Sequence, residues 1–169
     1  MHRKKVFFKY GAFALLAMAL FMVQYSKWGG EGLSLYGPDL FMSFTVAVAI
    51  FEGAEAGVGA GLLSAVLMSV CKGGSVFGYT LFYPIYGLFS GIVIERDFRK
   101  HFITAMIFSA AGCVLQRGLA YVFVGAFVKV PPAPYAAATA IKAAITLVFA
   151  APVYFAVKGI DGIFSEEEE

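Results

Sequence analysis

The stretch Ala49–Ser69, AIFEGAEAGVGAGLLSAVLMS, decides the fold because a small residue recurs at every fourth position. The series is Ala49, Gly53, Gly57, Gly61, Ala65 and Ser69. Residues four apart lie on one face of a helix, so the spacing predicts a helix with a smooth side from Gly53 onward. Small residues let helix backbones approach closely in lipid, where no hydrophobic drive pushes helices together. The smooth face therefore predicts close contact, either with a helix of the same chain or with a helix of another protein.

The composition around this stretch indicates a membrane protein. The 169 residues are 60% hydrophobic and 14% charged, whereas soluble domains carry about 25% charged residues. A net charge of +2 is too small to indicate a nucleic-acid partner. The two cysteines, Cys71 and Cys113, lack a CxxC spacing and do not imply a disulfide framework. His2 and His101 lie in basic flanks with no second ligand nearby, so we expect neither a metal nor a cofactor.

Six apolar segments alternate with short polar connections, and a spanning helix needs about 20 residues. The predicted spans are Val6–Ser26, Pro38 to near Phe51, Ala56–Cys71, Val76–Ile94, Phe102–Val128 and Ala136–Val157. The first span follows a basic lead but is too long for a signal-peptide core, so we expect it to stay uncleaved. The second span is short and is expected to tilt or to break before the membrane boundary. The proline run at 131–134 predicts an extended break.

The basic residues of the connections predict the orientation. Eight lie in segments that share a side with the N-terminus: Arg3, Lys4, Lys5, Lys9, Arg96, Arg99, Lys100 and Lys158. Three lie on the other side: Lys27, Lys72 and Lys129. Because basic residues accumulate on the cytoplasmic side, both termini are predicted to be cytoplasmic. The prediction is therefore one all-α domain over residues 1–169 with six transmembrane helices, in which residues 159–169 form a short acidic cytoplasmic tail.

Two ionisable residues inside predicted spans, Arg117 and Lys142, are candidates for function because charge is expensive in lipid. Lys142 lies nearer a span end and can extend toward the headgroups. Arg117 lies deeper, beside Gln116, and needs an acceptor. We expect Asp39 to pair with Arg117, and the alternatives are a carboxylate of another subunit or a bound anion. We expect no enzyme, since HExxH, GxSxG, GxGxxG and GxxxxGKS motifs do not occur.

The order of motifs resembles a known family. The chain reads Pro38-Asp39-Leu40, then the glycine-stepped span with Gly57 and Gly61, then Gly73-Gly74-Ser75-Val76-Phe77-Gly78. A span closing in Gly87-xxx-Gly91, a basic loop and Ala150-Ala151-Pro152-Val153-Tyr154 follow. Over most of Pro38–Val157 this resembles the rod shape-determining protein MreD family. One departure is the stretch 65–70, AVLMSV, where the family often has an Asp late in the third span.

The resemblance implies a non-enzymatic scaffold of the bacterial cell-elongation machinery, which makes peptidoglycan and sets the rod shape. It implies a multi-pass protein of the cytoplasmic (inner) membrane that binds an MreC-like bitopic partner. Through that partner it would connect indirectly with MreB-like actin filaments and peptidoglycan synthases.

The family fold is similar to that of substrate-binding subunits of energy-coupling-factor vitamin transporters, which supplies an alternative function. Such subunits usually carry an Ala-xxx-Ala pattern in their first span. No alanine pair in the first span here is four residues apart.

The partner-binding prediction falls on Gly57, Gly61 and Arg117. A protein with six helices and tiny loops has little but its lipid-facing walls on which to hold a bitopic partner. A smooth wall lets one foreign helix approach closely, so we expect Gly57 and Gly61 to meet the partner's transmembrane helix. The open alternative is that the stripe packs inside the chain.

Overall fold

The structure is a computed structural model of the 169-residue chain. It describes the backbone of residues 2–25, 37–72, 76–97, 101–125 and 131–165, and the side chains of 8–25, 37–70, 81–96, 101–123 and 131–163. Several predicted features lie outside the described residues. They are the first connection with Lys27, the Gly73-Gly74-Ser75 turn, Lys129 and the four closing glutamates.

The described chain consists of helices, and no strand occurs within it. The helices are α1 His2–Tyr25, α2 Leu40–Glu52, α3 Ala54–Lys72, α4 Val76–Asp97, α5 Phe102–Ala120 and α6 Pro132–Ser165. A π-helical turn, Tyr121–Gly125, continues α5. The all-α prediction is confirmed, and each predicted span overlaps one of these helices. Three described stretches are long and apolar enough to cross a membrane: Phe8–Tyr25, Phe102–Phe123 and Pro132–Ile163.

Helix α2, rather than the glycine-stepped α3, occupies the centre of the bundle. Every residue from Leu40 to Ile50 is buried, and α2 contacts each of the other five helices. The α2 sequence, LFMSFTVAVAIFE, is apolar on nearly all sides. A helix with such a sequence is typically buried. The shortest of the six described α-helices, α2, is therefore the one that the other five enclose.

The glycine stripe of α3 packs against α4 within the same chain. A Cβ added at Gly61 would lie 2.6 Å from the Tyr83 carbonyl oxygen. A Cβ added at Gly57 would lie 2.8 Å from the carbonyl oxygen of Gly87. The prediction that Gly57 and Gly61 meet a partner helix is therefore wrong, because this chain already covers both glycines. The two glycines allow α3 and α4 to approach more closely than larger residues at these positions would permit.

Gly53 separates α2 from α3 as a single non-helical residue. Its φ of 91° lies in the region that favours glycine. It closes α2 by donating its N–H to the Ala49 carbonyl oxygen at 3.1 Å. Gly53 therefore belongs to the four-residue series of the sequence but turns the chain instead of continuing a helix.

The proline run does not form the extended break that the sequence predicts. Helix α6 begins at Pro132 and continues to Ser165, so Pro132 and Pro134 lie in its first turn. Proline is tolerated there because the first amides of a helix have no intrahelical acceptor. The helix also includes the first part of the segment predicted to be the tail, up to Ser165.

Contacts between successive helices show an alternating, up-and-down arrangement. The Gln24 side chain of α1 accepts a hydrogen bond from the Leu40 amide at 3.2 Å, and Lys9 contacts Asp161 of α6. Glu95 of α4 accepts from the Ala54 amide at the start of α3. We call the end of the bundle where α2 begins the Asp39 end, and the end where α2 finishes the Lys9 end.

Candidate functional site

Asp39 organises a buried polar cluster at the Asp39 end. The residue is fully buried and is the N-cap of α2, where Oδ1 accepts the Met42 amide at 3.1 Å. An Asp at this position satisfies one of the free amides of the first helical turn. The Tyr83 hydroxyl of α4 donates to the same carboxylate, at 2.9 Å from Oδ1 and 3.1 Å from Oδ2. The carboxylate is therefore held by two donors from within the chain.

The backbone of Asp39 connects α2 with α5 and α6. Its N–H donates to Thr146 Oγ1 of α6 at 3.0 Å. The Thr146 hydroxyl points to Cys113 Sγ of α5 at 4.0 Å, and both residues are fully buried. Four helices thus meet around the first turn of α2.

Arg117 does not form the predicted pair with Asp39. Its Nε donates to Thr139 Oγ1 at 3.1 Å, and its guanidinium carbon lies 4.9 Å from the centre of the Tyr135 ring. The Tyr135 hydroxyl donates to the Arg117 carbonyl oxygen at 2.8 Å, where α5 passes into the π-helical turn. Arg117 therefore contacts the first turns of α6, while Tyr83 takes the place next to Asp39. A role for Arg117 in binding a partner stays a prediction.

Lys142 lies inside the chain instead of extending along its surface. It is 8% exposed, so the surrounding helices cover most of its side chain, and its extension toward the headgroups stays a prediction. Within the described part of the chain, no hydrogen bond or ion pair reaches its ammonium group. Lys142 is one helical turn from Thr146, which places it on the same side of α6 as the Asp39 contact.

Gln116 is the second buried donor at this end. It is 9% exposed, and among the described residues its Nε2 has no hydrogen-bond partner. Gln116 lies three residues beyond Cys113 on α5, as Lys142 lies four residues before Thr146 on α6. Because Cys113 and Thr146 face each other, the helix register places Gln116 and Lys142 at similar heights between the same two helices.

The Lys9 end holds a second charged cluster, in which one ammonium group contacts two carboxylates. The Lys9 ammonium contacts Glu52 of α2 and lies 2.7 Å from Asp161 Oδ1 of α6. Burial, together with the neighbouring Asp161 carboxylate, raises the pKa of Glu52 above its ordinary value. The lysine joins α1 to both α2 and α6, so this cluster ties three helices together.

A shallow groove of about 430 Å³ runs between α1 and α3. Tyr10 and Phe13 of α1 line one side, Phe44 and Val48 of α2 form the floor, and Gly59 belongs to the α3 side. Gly59 is exposed, and a Cβ added to it would meet nothing within 4 Å. Unlike Gly57 and Gly61, this glycine is accessible from outside the chain.

Sequence reasoning found Lys142, Gln116 and Arg117 but missed the groups that organise the site. Neither Tyr83 nor Thr146 was predicted to belong to a site. One available signal was the spacing of Thr139, Lys142 and Thr146, which puts three polar residues on one face of an otherwise apolar helix. Among the described residues, no group of three or more metal-binding side chains occurs.

No family model matches the chain, and no similar protein is found among curated proteins or solved structures.

Proposed function

We propose that this protein is a non-enzymatic scaffold of the bacterial cell-elongation machinery in the cytoplasmic membrane. In this proposal it binds an MreC-like bitopic partner and is linked through it to MreB-like filaments and peptidoglycan synthases. The motif order of the sequence supports the family assignment, and the groove between α1 and α3 is the structural observation that carries the binding role.

The groove suits a single transmembrane helix. Its walls are mainly apolar, and its α3 side carries the small residues Ala56, Gly59 and Ala60. Helices associate in lipid where small residues permit close van der Waals contact. The open space beside Gly59 permits that approach, whereas α4 already fills the space beside Gly57 and Gly61.

Glu55 supports the orientation of such a partner. It is exposed, lies at the Lys9 end and lines the groove. In the proposed six-span topology this end is cytoplasmic, because the connections there carry most of the basic residues. The cytoplasmic flank of a bitopic helix is commonly rich in Lys and Arg. A basic residue of the partner would therefore lie near the Glu55 carboxylate.

Leucine substitution at two exposed helical glycines tests the partner site. Gly59→Leu fills the groove, and Gly118→Leu is the matched control on α5, since a Cβ at either glycine meets nothing within 4 Å. We expect both variants to insert and fold. Gly59→Leu should lose co-purification of the MreC-like partner, while Gly118→Leu should retain it. Retention of the partner by Gly59→Leu would contradict the assignment of the groove.

A second function, substrate capture for an energy-coupling-factor vitamin transporter, is favoured by the buried polar cluster at the Asp39 end. Depletion of the protein from a rod-shaped host distinguishes the two functions. The scaffold proposal expects cells to become round and wide with unchanged nutritional needs. Rod-shaped cells that acquire a vitamin requirement would support the transporter subunit instead.

A further inference from the structure

Two donor side chains at the Asp39 end are more than nine-tenths buried and have no partner among the described residues. Lys142 is 8% exposed and Gln116 is 9% exposed. The lysine ammonium carries three donors and no acceptor, and the unpartnered atom of Gln116 is its Nε2, which also only donates. A buried ammonium without a counter-charge is strongly unfavourable. Both groups therefore lack a hydrogen-bond acceptor, and the acceptor for Lys142 should carry a negative charge.

The described acceptors of the Asp39 cluster bond to donors other than Lys142 and Gln116. The Asp39 carboxylate accepts the Met42 amide and the Tyr83 hydroxyl. Thr146 Oγ1 accepts the Asp39 amide. None of these groups bonds to Lys142 or Gln116, so the described chain does not complete their hydrogen bonding by itself.

The charge of Lys142 specifies the sign of the missing group. An ammonium pairs best with a negatively charged oxygen acceptor. Gln116 Nε2 can donate to the same oxygen group. Arg117 lies one residue beyond Gln116 on α5, and its side chain reaches Thr139, which is three residues before Lys142 on α6.

We propose that Lys142 and Gln116 bind an anionic oxygen group, a phosphate or carboxylate, between α5 and α6 at the Asp39 end. The Lys142 ammonium supplies the counter-charge and Gln116 Nε2 donates a hydrogen bond to the same group. Such charge-assisted hydrogen bonds are the strong ones in a low-dielectric environment. The anion belongs either to a lipid headgroup or to a small soluble molecule.

Thermal unfolding of the full-length protein in nanodiscs tests this site and separates the two sources. The wild type is compared in discs of neutral phosphatidylcholine, in the same discs with inorganic phosphate added, and in discs containing anionic phosphatidylglycerol. Stabilisation by phosphatidylglycerol alone identifies a lipid headgroup, and stabilisation by inorganic phosphate identifies a small anion. Absence of stabilisation in both arms overturns the proposal.

Matched lysine variants locate the effect. Lys142→Met keeps the length of the side chain and removes its charge, and Lys158→Met removes an exposed charge from the same helix. We expect Lys142→Met to fold in neutral discs, because it removes a buried unpaired charge, and to bind the stabilising anion at least roughly tenfold more weakly. Gln116→Leu should weaken binding less, and Lys158→Met should bind as the wild type does. Equal losses in Lys142→Met and Lys158→Met would indicate a general surface-charge effect and overturn the site.

Discussion

A lysine lies near each end of α2, Lys9 of α1 at one end and Lys142 of α6 at the other. Lys9 contacts two carboxylates, those of Glu52 and Asp161. Lys142 is more buried but has no described hydrogen-bond or ion-pair partner. The same residue type thus joins helices through ion pairs at one end and has no described partner at the other.

The difference comes from how the carboxylates are used. At the Lys9 end, Glu52 closes α2 and its side chain is not needed to cap a helix, so it can pair with a lysine. At the Asp39 end, the single described carboxylate caps α2 and accepts the Tyr83 hydroxyl. This carboxylate bonds to the Met42 amide and the Tyr83 hydroxyl and makes no direct ion pair with Lys142 among the described residues.

The largest effect is expected from removing the Asp39 carboxylate. Asp39→Leu loses the helix cap and leaves the buried Tyr83 hydroxyl without this acceptor, so it should lower the free energy of unfolding by about 2–4 kcal/mol. Asp39→Asn keeps a good N-cap and an acceptor for Tyr83, so its free energy of unfolding should fall by only about 1 kcal/mol. Thermal unfolding in neutral discs measures both variants. Equal losses would show that the charge of Asp39, and not its hydrogen bonding, holds this end together.

A smaller effect, dependent on pH, is expected at the Lys9 end. The pKa of Glu52 is raised by burial, so the folded protein binds this proton more tightly than the unfolded chain does. The stability from this group is fully present below the ordinary carboxyl pKa and is lost as the pH rises through the raised value. Unfolding free energy should therefore fall over that window in the wild type and fall less in Glu52→Gln. An unchanged slope in Glu52→Gln would mean that Glu52 does not titrate in this way.

The sequence predicted the helices well because their apolar segments are separated by glycine, proline and charge. It did not predict that α2 is central, because the position of a helix in a bundle depends on which neighbours enclose it. The α3 stripe was detected, but spacing alone does not show which helix covers a smooth face. Gly57 and Gly87 are 30 residues apart in the chain, and only the fold brings them into contact.

The polar site was predictable in part. Arg117 and Lys142 stand out as charges in apolar segments, and this observation led to the end of the bundle where the buried polar cluster lies. The partner of Asp39 was predicted wrongly because a charge rule favours arginine, whereas the helix packing places Tyr83 of α4 next to the carboxylate. Thr146 and Cys113 carry no charge, so nothing in their sequence context indicated that they connect α5 and α6 at this end.

The central claim is that the two lysines near the ends of α2 have opposite energetic roles, and one comparison tests it most directly. Unfolding free energies of Lys9→Met and Lys142→Met are measured in neutral discs without added anion, each against the wild type. Lys9→Met should be destabilised by about 1–2 kcal/mol, because two partly buried carboxylates lose their shared cation. Lys142→Met should be unchanged or more stable, because a buried charge without a described partner is removed. A loss in Lys142→Met as large as that in Lys9→Met would contradict the account, since it would show that Lys142 is paired within the protein.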